Sequence, residues 1–268
     1  MAGLIIFHTS DIHNRLTPER ARFLHDLKAG VPQSLVLDSG DAIWAGNVFW
    51  RPGGEPVLDL MNEVPYDAMC MGNREFHFLR AGLESKTSRA RFPVLSANLR
   101  GTGEEVTGCR LQVIGEGPSA PNTQHPTPNT RVVPCVILDR GGVRMGVFGL
   151  SIPCITQRML TRRLADFCFE APIEAAGGIV PRLRDECDLV VALTHIGIKR
   201  DRELAASVPG IDLILGGHTH AVTETPERVG QTWILHHGSH CKYVGRVEVE
   251  ISSGRIDVKS ELIALVGA

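Results

Sequence analysis

IDLILGGHTH (211–220) runs from aliphatic residues through paired glycines into two histidines separated by one residue. Ile211, Leu213, Ile214 and Leu215 form a run too short for a helix, so it reads as a buried strand. Gly216 and Gly217 then let the backbone turn tightly, and His218 and His220 follow where the strand ends. The same grammar recurs along the chain: LIIF (4–7) runs into HTSDIH, SLVL (34–37) into DSGD, DAMC (67–70) into MGNREFH, and DLVVAL (188–193) into THIG. In each case a buried strand ends in side chains that can hold a metal.

Two further aliphatic runs, VVPCVIL (132–138) and MGVFGL (145–150), read as strands as well. Helical stretches lie between them. TPERARFLHDLKAG (17–30) offers Thr17 as N-cap, Pro18 at the first helical position, apolar Phe23, Leu24 and Leu27, and a terminal Gly30. PIEAAGGIVPRLRDEC (172–187) and DRELAASVPG (201–210) read similarly, although Gly177, Gly178 and Pro181 weaken the first. Alternating strands and helices predict an α/β fold. KYVGRVEVEISSGRIDVKSELIAL (242–265) alternates polar and apolar residues around a Ser-Gly turn and predicts a closing antiparallel hairpin. GEGPSAPNTQHPTPNT (115–130) reads as an exposed loop.

The chain has 268 residues, 43% apolar and 22% charged, which suits one globular domain over 1–268. A net charge of -2 gives no reason to expect nucleic acid or an anionic membrane as partner. The N-terminus shows neither a basic leader nor a long apolar span, and the seven cysteines include no CxxC pair, so reduced thiols and a cytoplasmic location are expected. No P-loop, cysteine-nucleophile motif or Gly-x-Ser-x-Gly elbow is present.

In an α/β sheet the carboxyl ends of strands open onto the ligand crevice, so these strand ends can meet in space. Each piece alone has a plainer reading: Asp11-x-His13 as a helix cap with a surface histidine, Asp41 as a turn residue, His195 as a hydrogen-bonded core imidazole. Together Asp11, His13, Asp41, Asn73, His195, His218 and His220 exceed what one tetrahedral ion uses and suit two divalent ions sharing a carboxylate. Mixed oxygen and imidazole donors favour Mn, Fe, Zn, Co or Ni over Mg or Ca. Such a pair would attract a phosphate dianion, so the expected partner is a small phosphorylated substrate.

The ordered set D11-x-H13, G40-D41, G72-N73, H195 and G217-H218-x-H220 resembles the calcineurin-like metallophosphoesterase superfamily. FHTSDIHNRL (7–16), FPVLSANL (92–99), VFGLSIP (147–153) and GSHCKYVGRVEVEI (238–251) resemble its 5'-nucleotidase branch. The resemblance implies a four-layer sandwich of two mixed β-sheets flanked by helices. It implies one ion on Asp11, His13, Asp41 and His220, another on Asp41, Asn73, His195 and His218, and a metal-held hydroxide attacking phosphorus in line. That branch usually carries a second, C-terminal domain that grips the nucleoside; residues 1–268 depart from it and read as the metal domain alone.

Where the branch usually reads Gly-Asn-His-Glu-Phe-Asp, this chain reads Gly72-Asn73-Arg74-Glu75-Phe76-His77. On a helix starting after Asn73, Arg74 and His77 would share a face. Arg74 is then expected to neutralise phosphoryl oxygens and His77 to supply any proton the leaving group needs. The plainer alternative is a surface arginine and a packing histidine. His8 reads as a buried residue behind the site, and one of His236, His237 and His240 as a candidate substrate-side group. Hydrolysis of a phosphomonoester, with nucleotides among the candidates, is the leading expectation. A phosphodiesterase or cyclic-nucleotide hydrolase, or a catalytically weak phosphoryl-binding module, stands beside it.

Overall fold

Alternation of side chains decides how each strand is covered. In the first strand Leu4 and Ile6 turn to one side and Phe7 to the other; in the strand at 213–216 Leu213 and Leu215 turn to one side and Ile214 to the other. Because both faces of these strands are apolar, each sheet must be sandwiched, and the computed structural model shows how. It describes residues 2–46, 48–101, 112–114, 132–252, 254–265 and 267.

One sheet contains β1 (Ala2–Thr9), β2 (Leu35–Asp38), β3 (Ala68–Cys70), β4 (Val94–Leu95), β7 (Val132–Val133), β15 (Tyr243–Ser252) and β16 (Arg255–Ala264), in the order β16-β15-β1-β2-β3-β4-β7. The second contains β6 (Gln112–Ile114), β8 (Cys135–Arg140), β9 (Val143–Ser151), β11 (Leu189–His195), β12 (Leu213–Gly216), β13 (Glu227–Val229) and β14 (Thr232–His236), in the order β13-β14-β12-β11-β9-β8-β6. A short pair, β5 (Leu99–Gly101) and β10 (Phe167–Phe169), stands apart. In the first sheet β1 to β4 and β7 run parallel, while β15 returns antiparallel beside β1 with His8 opposite Gly245.

The core between the sheets is aliphatic: Leu4, Ile6, Leu35 and Leu37 meet Val147, Val191, Leu213 and Leu215. Helices α1 (Pro18–Gly30), α2 (Val57–Glu63) and α3 (Arg80–Thr87) belong with the outer face of the first sheet through Leu24, Leu58, Met61 and Leu83, joined there by Phe7 and Val36. Helices α4 (Pro172–Glu186) and α5 (Ile198–Ser207) cover the second through Ala176, Val180, Leu183 and Leu204. The result is the four-layer α/β sandwich expected from the sequence.

Local chemistry explains the boundaries. Thr17 Oγ1 accepts the Arg20 N–H and Pro18 opens α1, as its sequence predicts. α4 continues through Gly177, Gly178 and Pro181, because the carbonyl that Pro181 cannot serve belongs to solvent-exposed Gly177. α5 begins at Ile198, earlier than expected. The single run VVPCVIL divides at Pro134: β7 stays in the first sheet and β8 enters the second. The expected loop 115–130 lies outside the described residues. Among the described residues no helix is long and apolar enough to cross a membrane, and none of Cys70, Cys135, Cys154, Cys168, Cys187 and Cys241 is in a disulfide.

The two sheets meet without room for a side chain where a Cβ on Gly149 of β9 would lie 2.3 Å from the Leu95 carbonyl oxygen of β4. Backbone cannot step aside as a side chain can, so Gly149→Ala is expected to lower the unfolding free energy by about 1–3 kcal/mol or more. Gly178 sits in α4 with open space around it, no atom lying within 4 Å of where a Cβ would stand, and Gly178→Ala should raise stability by roughly 0.5–1 kcal/mol. Urea unfolding of both variants checks the opposite signs; equal shifts would contradict this account of the sheet contact.

Candidate metal centre

The strands that end at this crevice hand over to loops whose backbones are unusual. Asp11, His13, Asp41, His218 and His220 have φ of 49°, 47°, 56°, 78° and 54°, in the left-handed region that ordinary side chains avoid. Such strain persists only where surrounding contacts enforce it, and it clusters at working sites. Here parallel loops enforce it on one another: Asp11 N–H donates to Gly40 O at 2.9 Å and His13 N–H to Asp41 O at 2.9 Å. From the second sheet, His218 N–H donates to Asp11 Oδ2 at 2.9 Å.

The glycines of the 211–220 stretch have a different task from the turn expected of them. Neither has a positive φ; the neighbouring histidines do. A Cβ on Gly216 would lie 2.1 Å from His236 Nε2, and one on Gly217 would lie 3.0 Å from Asp11 Oδ2. They are there so that other side chains can come close.

The tips converge. His220 Nε2 is 3.4 Å and His13 Nε2 3.8 Å from Asp11 Oδ1, and the two imidazole nitrogens face each other at 3.2 Å. His195 Nε2 lies 3.4 Å from Asp41 Oδ2 and 4.0 Å from Asp11 Oδ1. Asp11, His13 and His220 form one group able to hold an ion, and Asp11, Asp41 and His195 another. These groups have Asp11 in common, whereas the resemblance implies Asp41 as the shared carboxylate. His218 joins through its ring, 5.1 Å from that of His195.

Four buried polar atoms here have no hydrogen-bond partner: Asp11 Oδ1, His13 Nδ1, Asn73 Oδ1 and His195 Nε2. Leaving such groups unpaired is costly, and a divalent cation would satisfy oxygens and imidazole nitrogens together. His195 is oriented for this, because its Nδ1–H donates to Ser39 O at 2.7 Å and leaves Nε2 free. The donor set therefore fits divalent metal.

The charges agree. Burial works to raise the Asp41 carboxyl, yet His195 and the Arg74 N–H hold it below its usual range. Burial opposes protonation of His195, but Asp41 and then Asp11 pull it up to about 9. The carboxylates call for positive charge at the point where the nitrogens converge.

The calcineurin-like phosphoesterase model matches residues 4–222, which carry all seven of these residues. The chain belongs to the calcineurin-like phosphoesterase family. Its members are phosphoric ester hydrolases that use divalent metals, and the convergent donors lie within the matched region. The chain is 29% identical over 92% of its length to the trifunctional nucleotide phosphoesterase protein YfkN of Bacillus subtilis, of which it covers 18%. It is 28% identical over 83% of its length to a human 5'-nucleotidase, covering 39% of it. The chain thus spans well under half of these relatives. Its fold is similar to the 5'-nucleotidase precursor of Thermus thermophilus, with TM-score 0.75 and 23% identity over 98% of this chain and 54% of the other.

Arg74 stands at the edge of the cluster. Its backbone N–H donates to Asp41 Oδ1 at 2.7 Å, its Nε is 3.7 Å from Asp41 Oδ2, and its Nη1 donates to Trp44 O at 2.6 Å. His77 does not join it on a shared helical face, because residues 73–75 form a turn and the helix starts only at Arg80. The buried His77 ring accepts the Leu79 N–H at 3.0 Å, stacks on Phe78 at 4.8 Å and meets the edge of Trp50 at 6.0 Å. Burial, more than Lys86, lowers its pKa.

Of the later histidines, His240 reaches the cluster, with its ring 5.0 Å from His13 and 5.2 Å from His220. Buried His236 instead bonds Asp201 at 2.7 Å. His237 lies behind the site, with Nδ1 2.6 Å from Nδ1 of His8, whose Nε2 reaches Ser39 Oγ at 2.8 Å. Ser39 Oγ in turn donates to Leu215 O at 2.6 Å, so it must accept from His8, and His237 must donate to His8. This matches the buried supporting place read for His8.

Two residues escape sequence reading. Glu75 is fully buried and accepts N–H groups from Gly72 at 2.8 Å, Asp41 at 2.9 Å and Ile43 at 3.2 Å, tying the second and third loops together. Lys86, also buried, donates to the carbonyls of Gly46, Arg74 and Phe76. The only signal is an acid inside an otherwise chemical heptapeptide and a lysine on the apolar side of a short helix.

Glu75→Gln sets an amide N–H₂ against one of those donors. It is expected to lower stability by about 1–3 kcal/mol and to weaken metal uptake, read by urea unfolding and metal titration; unchanged values would remove Glu75 from this role. Burial, and next His236, holds His237 down to about 3, below the unfolded value of about 6.5. Its contribution is present above pH 6.5 and is lost as pH falls toward 3, by up to about 1.4 kcal/mol per pH unit. Buried Asp38, with its pKa raised by desolvation, acts in the opposite sense. The readout is therefore the difference: wild type should lose more stability between pH 6.5 and 5 than His237→Gln.

Proposed function

We propose that this chain is a dinuclear-metal phosphohydrolase acting on phosphomonoesters, nucleotides among them. The observation that carries the reading is the convergence of Asp11 Oδ1 with His13 Nε2, His220 Nε2 and His195 Nε2, and of His195 Nε2 with Asp41 Oδ2, beside the Arg74 guanidinium. Asp11, His13 and His220 would hold one ion. Asp41, Asn73, His195 and His218 would hold the other, with the carboxylates of Asp11 and Asp41 lying between. Divalent ions bound there supply Lewis acidity toward phosphoryl oxygens. The nucleotide phosphoesterase and 5'-nucleotidase named among the relatives support the substrate class.

The chain's own part is positioning and charge. Ser39 O fixes the His195 tautomer, and Glu75 fixes the loop of Asp41 against that of Gly72. Arg74, about a third exposed, offers a planar cation to the phosphoryl oxygens and has no proton to give near neutral pH. The sequence assigns that proton to His77, but the packing of His77 against Leu79, Phe78 and Trp50 suits it to support instead.

Protein stripped of metal and reloaded with Mn²⁺ tests this on nucleoside monophosphates, simple phosphomonoesters and phosphodiesters. Turnover of monoesters restored by metal, with two ions per chain by elemental analysis, is expected. Asp41→Asn should lower stoichiometry and turnover together, and Arg74→Ala should raise KM for phosphate esters. Turnover of diesters alone would replace the monoester reading, and two bound ions with no turnover would leave a phosphoryl-binding module.

A further inference from the structure

Beside the metal centre the chain displays aromatic rings that the fold has no internal use for. Trp44, Phe49 and Trp50 are 52%, 63% and 48% exposed, although burying such rings is among the largest gains available to a folding chain. Their backbone is not loose. Trp44 O is held by Arg74, Gly46 O by buried Lys86 at 2.7 Å, and Arg51 O by Ser85. Phe49 N–H donates to Gly46 O at 3.0 Å, and Arg51 pairs with the buried Glu55. Rings that stay exposed on a pinned loop are prepared for a partner.

Their location names the partner. Trp44 presents its ring 6.4 Å from that of His13, nearly perpendicular to it, and the Arg74 guanidinium lies 5.0 Å over the indole while its Nε faces Asp41. One guanidinium thus spans the carboxylate of the metal centre and the indole, and half of the Trp44 surface remains open beyond it. A phosphoryl group held by the ions and Arg74 would carry the rest of its ester toward this ring. Trp50 is braced by His77, whose ring is itself stacked on Phe78 and has Gly82 against it where a Cβ would lie 2.1 Å from Nδ1. That bracing is a use for His77 that does not require it to move a proton.

We propose that Trp44, flanked on the same loop by Phe49 and Trp50, is a stacking platform for a planar aromatic group carried by the phosphoester, with a nucleobase as the natural probe. The proposal rests on the phosphohydrolase reading for its substrate, but the platform can be tested without catalysis. A π-face recognises every base alike, so the platform confers preference for aromatic over non-aromatic esters with little discrimination among bases.

Two measurements decide it. AMP and ribose 5-phosphate share the same leaving oxygen and differ in the base, so the ratio of their kcat/KM isolates stacking. Trp44→Leu is expected to lower that ratio by about tenfold, within the range that stacking on one ring supplies, and Trp44→Phe should retain most of it. Separately, equilibrium dialysis should show metal-free protein binding adenosine in preference to ribose, with that preference lost in Trp44→Leu and kept in Trp44→Phe. If no ester is hydrolysed, the phosphohydrolase reading fails and adenosine binding alone decides the platform. An unchanged ratio in Trp44→Leu, or no adenosine binding at millimolar concentration, would overturn the proposal. Concentration-dependent dimerisation that hides these rings in the wild type and disappears in Trp44→Leu would overturn it in favour of a second copy as the occupant.

Discussion

Asp41 is held from both ends. Its N–H is taken by Glu75, its carbonyl by the His13 N–H, and its carboxylate by the Arg74 N–H, with the His195 imidazole 3.4 Å away. A residue so bound can be kept at φ 56°, and that conformation points the carboxylate into the crevice rather than along the strand. The surroundings accept no bulk: a Cβ on Gly72 would lie 2.2 Å from Asp41 Oδ1, and one on Gly40 would lie 2.6 Å from the Gly72 nitrogen. The first sheet's three loops are fitted around this single carboxylate.

The second sheet supplies the counterpart. Its β11 and β12 run parallel and end together, so His195, His218 and His220 arrive opposite Asp11 and Asp41 without any local motif. Bringing carboxylates and imidazoles together in a dry place creates a demand for cations that protons meet only in part, which is why His195 is drawn upward despite complete burial. Arg74 adds a fixed positive charge at the rim and leans on Trp44, so the polar centre grades into an aromatic margin.

Much of this is legible from residue order. Strands buried on both faces are written as short aliphatic runs, and polar residues immediately after them can only lie at strand ends, so the fold can be read, and with it the meeting of Asp11, His13, Asp41, His195 and His220. What cannot be read depends on the direction of single side chains after folding. Nothing in GNREFH tells that the backbone makes a turn before the helix at Arg80, so that His77 folds back onto Phe78. Glu75 looks like one more surface acid until the N–H groups of Asp41 and Ile43 from another loop, and of Gly72 from its own, are seen around it. The paired glycines of GGHTH suggest a turn, although their task is close approach and the histidines carry the left-handed backbone.

Strand β1 lies between β2, which follows it closely in sequence, and β15, which comes more than two hundred residues later, with His8 opposite Gly245. During synthesis one edge of β1 can be covered early. The other must wait, with its hydrogen-bonding groups open, until Tyr243–Ser252 has emerged. Asp11 and His13 hang from that strand, and His240 N–H reaches the Asp11 carbonyl only from the loop leading into β15. The crevice therefore cannot be completed before β15 has been made, and a chain cut short of β15 would carry all seven donor residues without the frame that aims them.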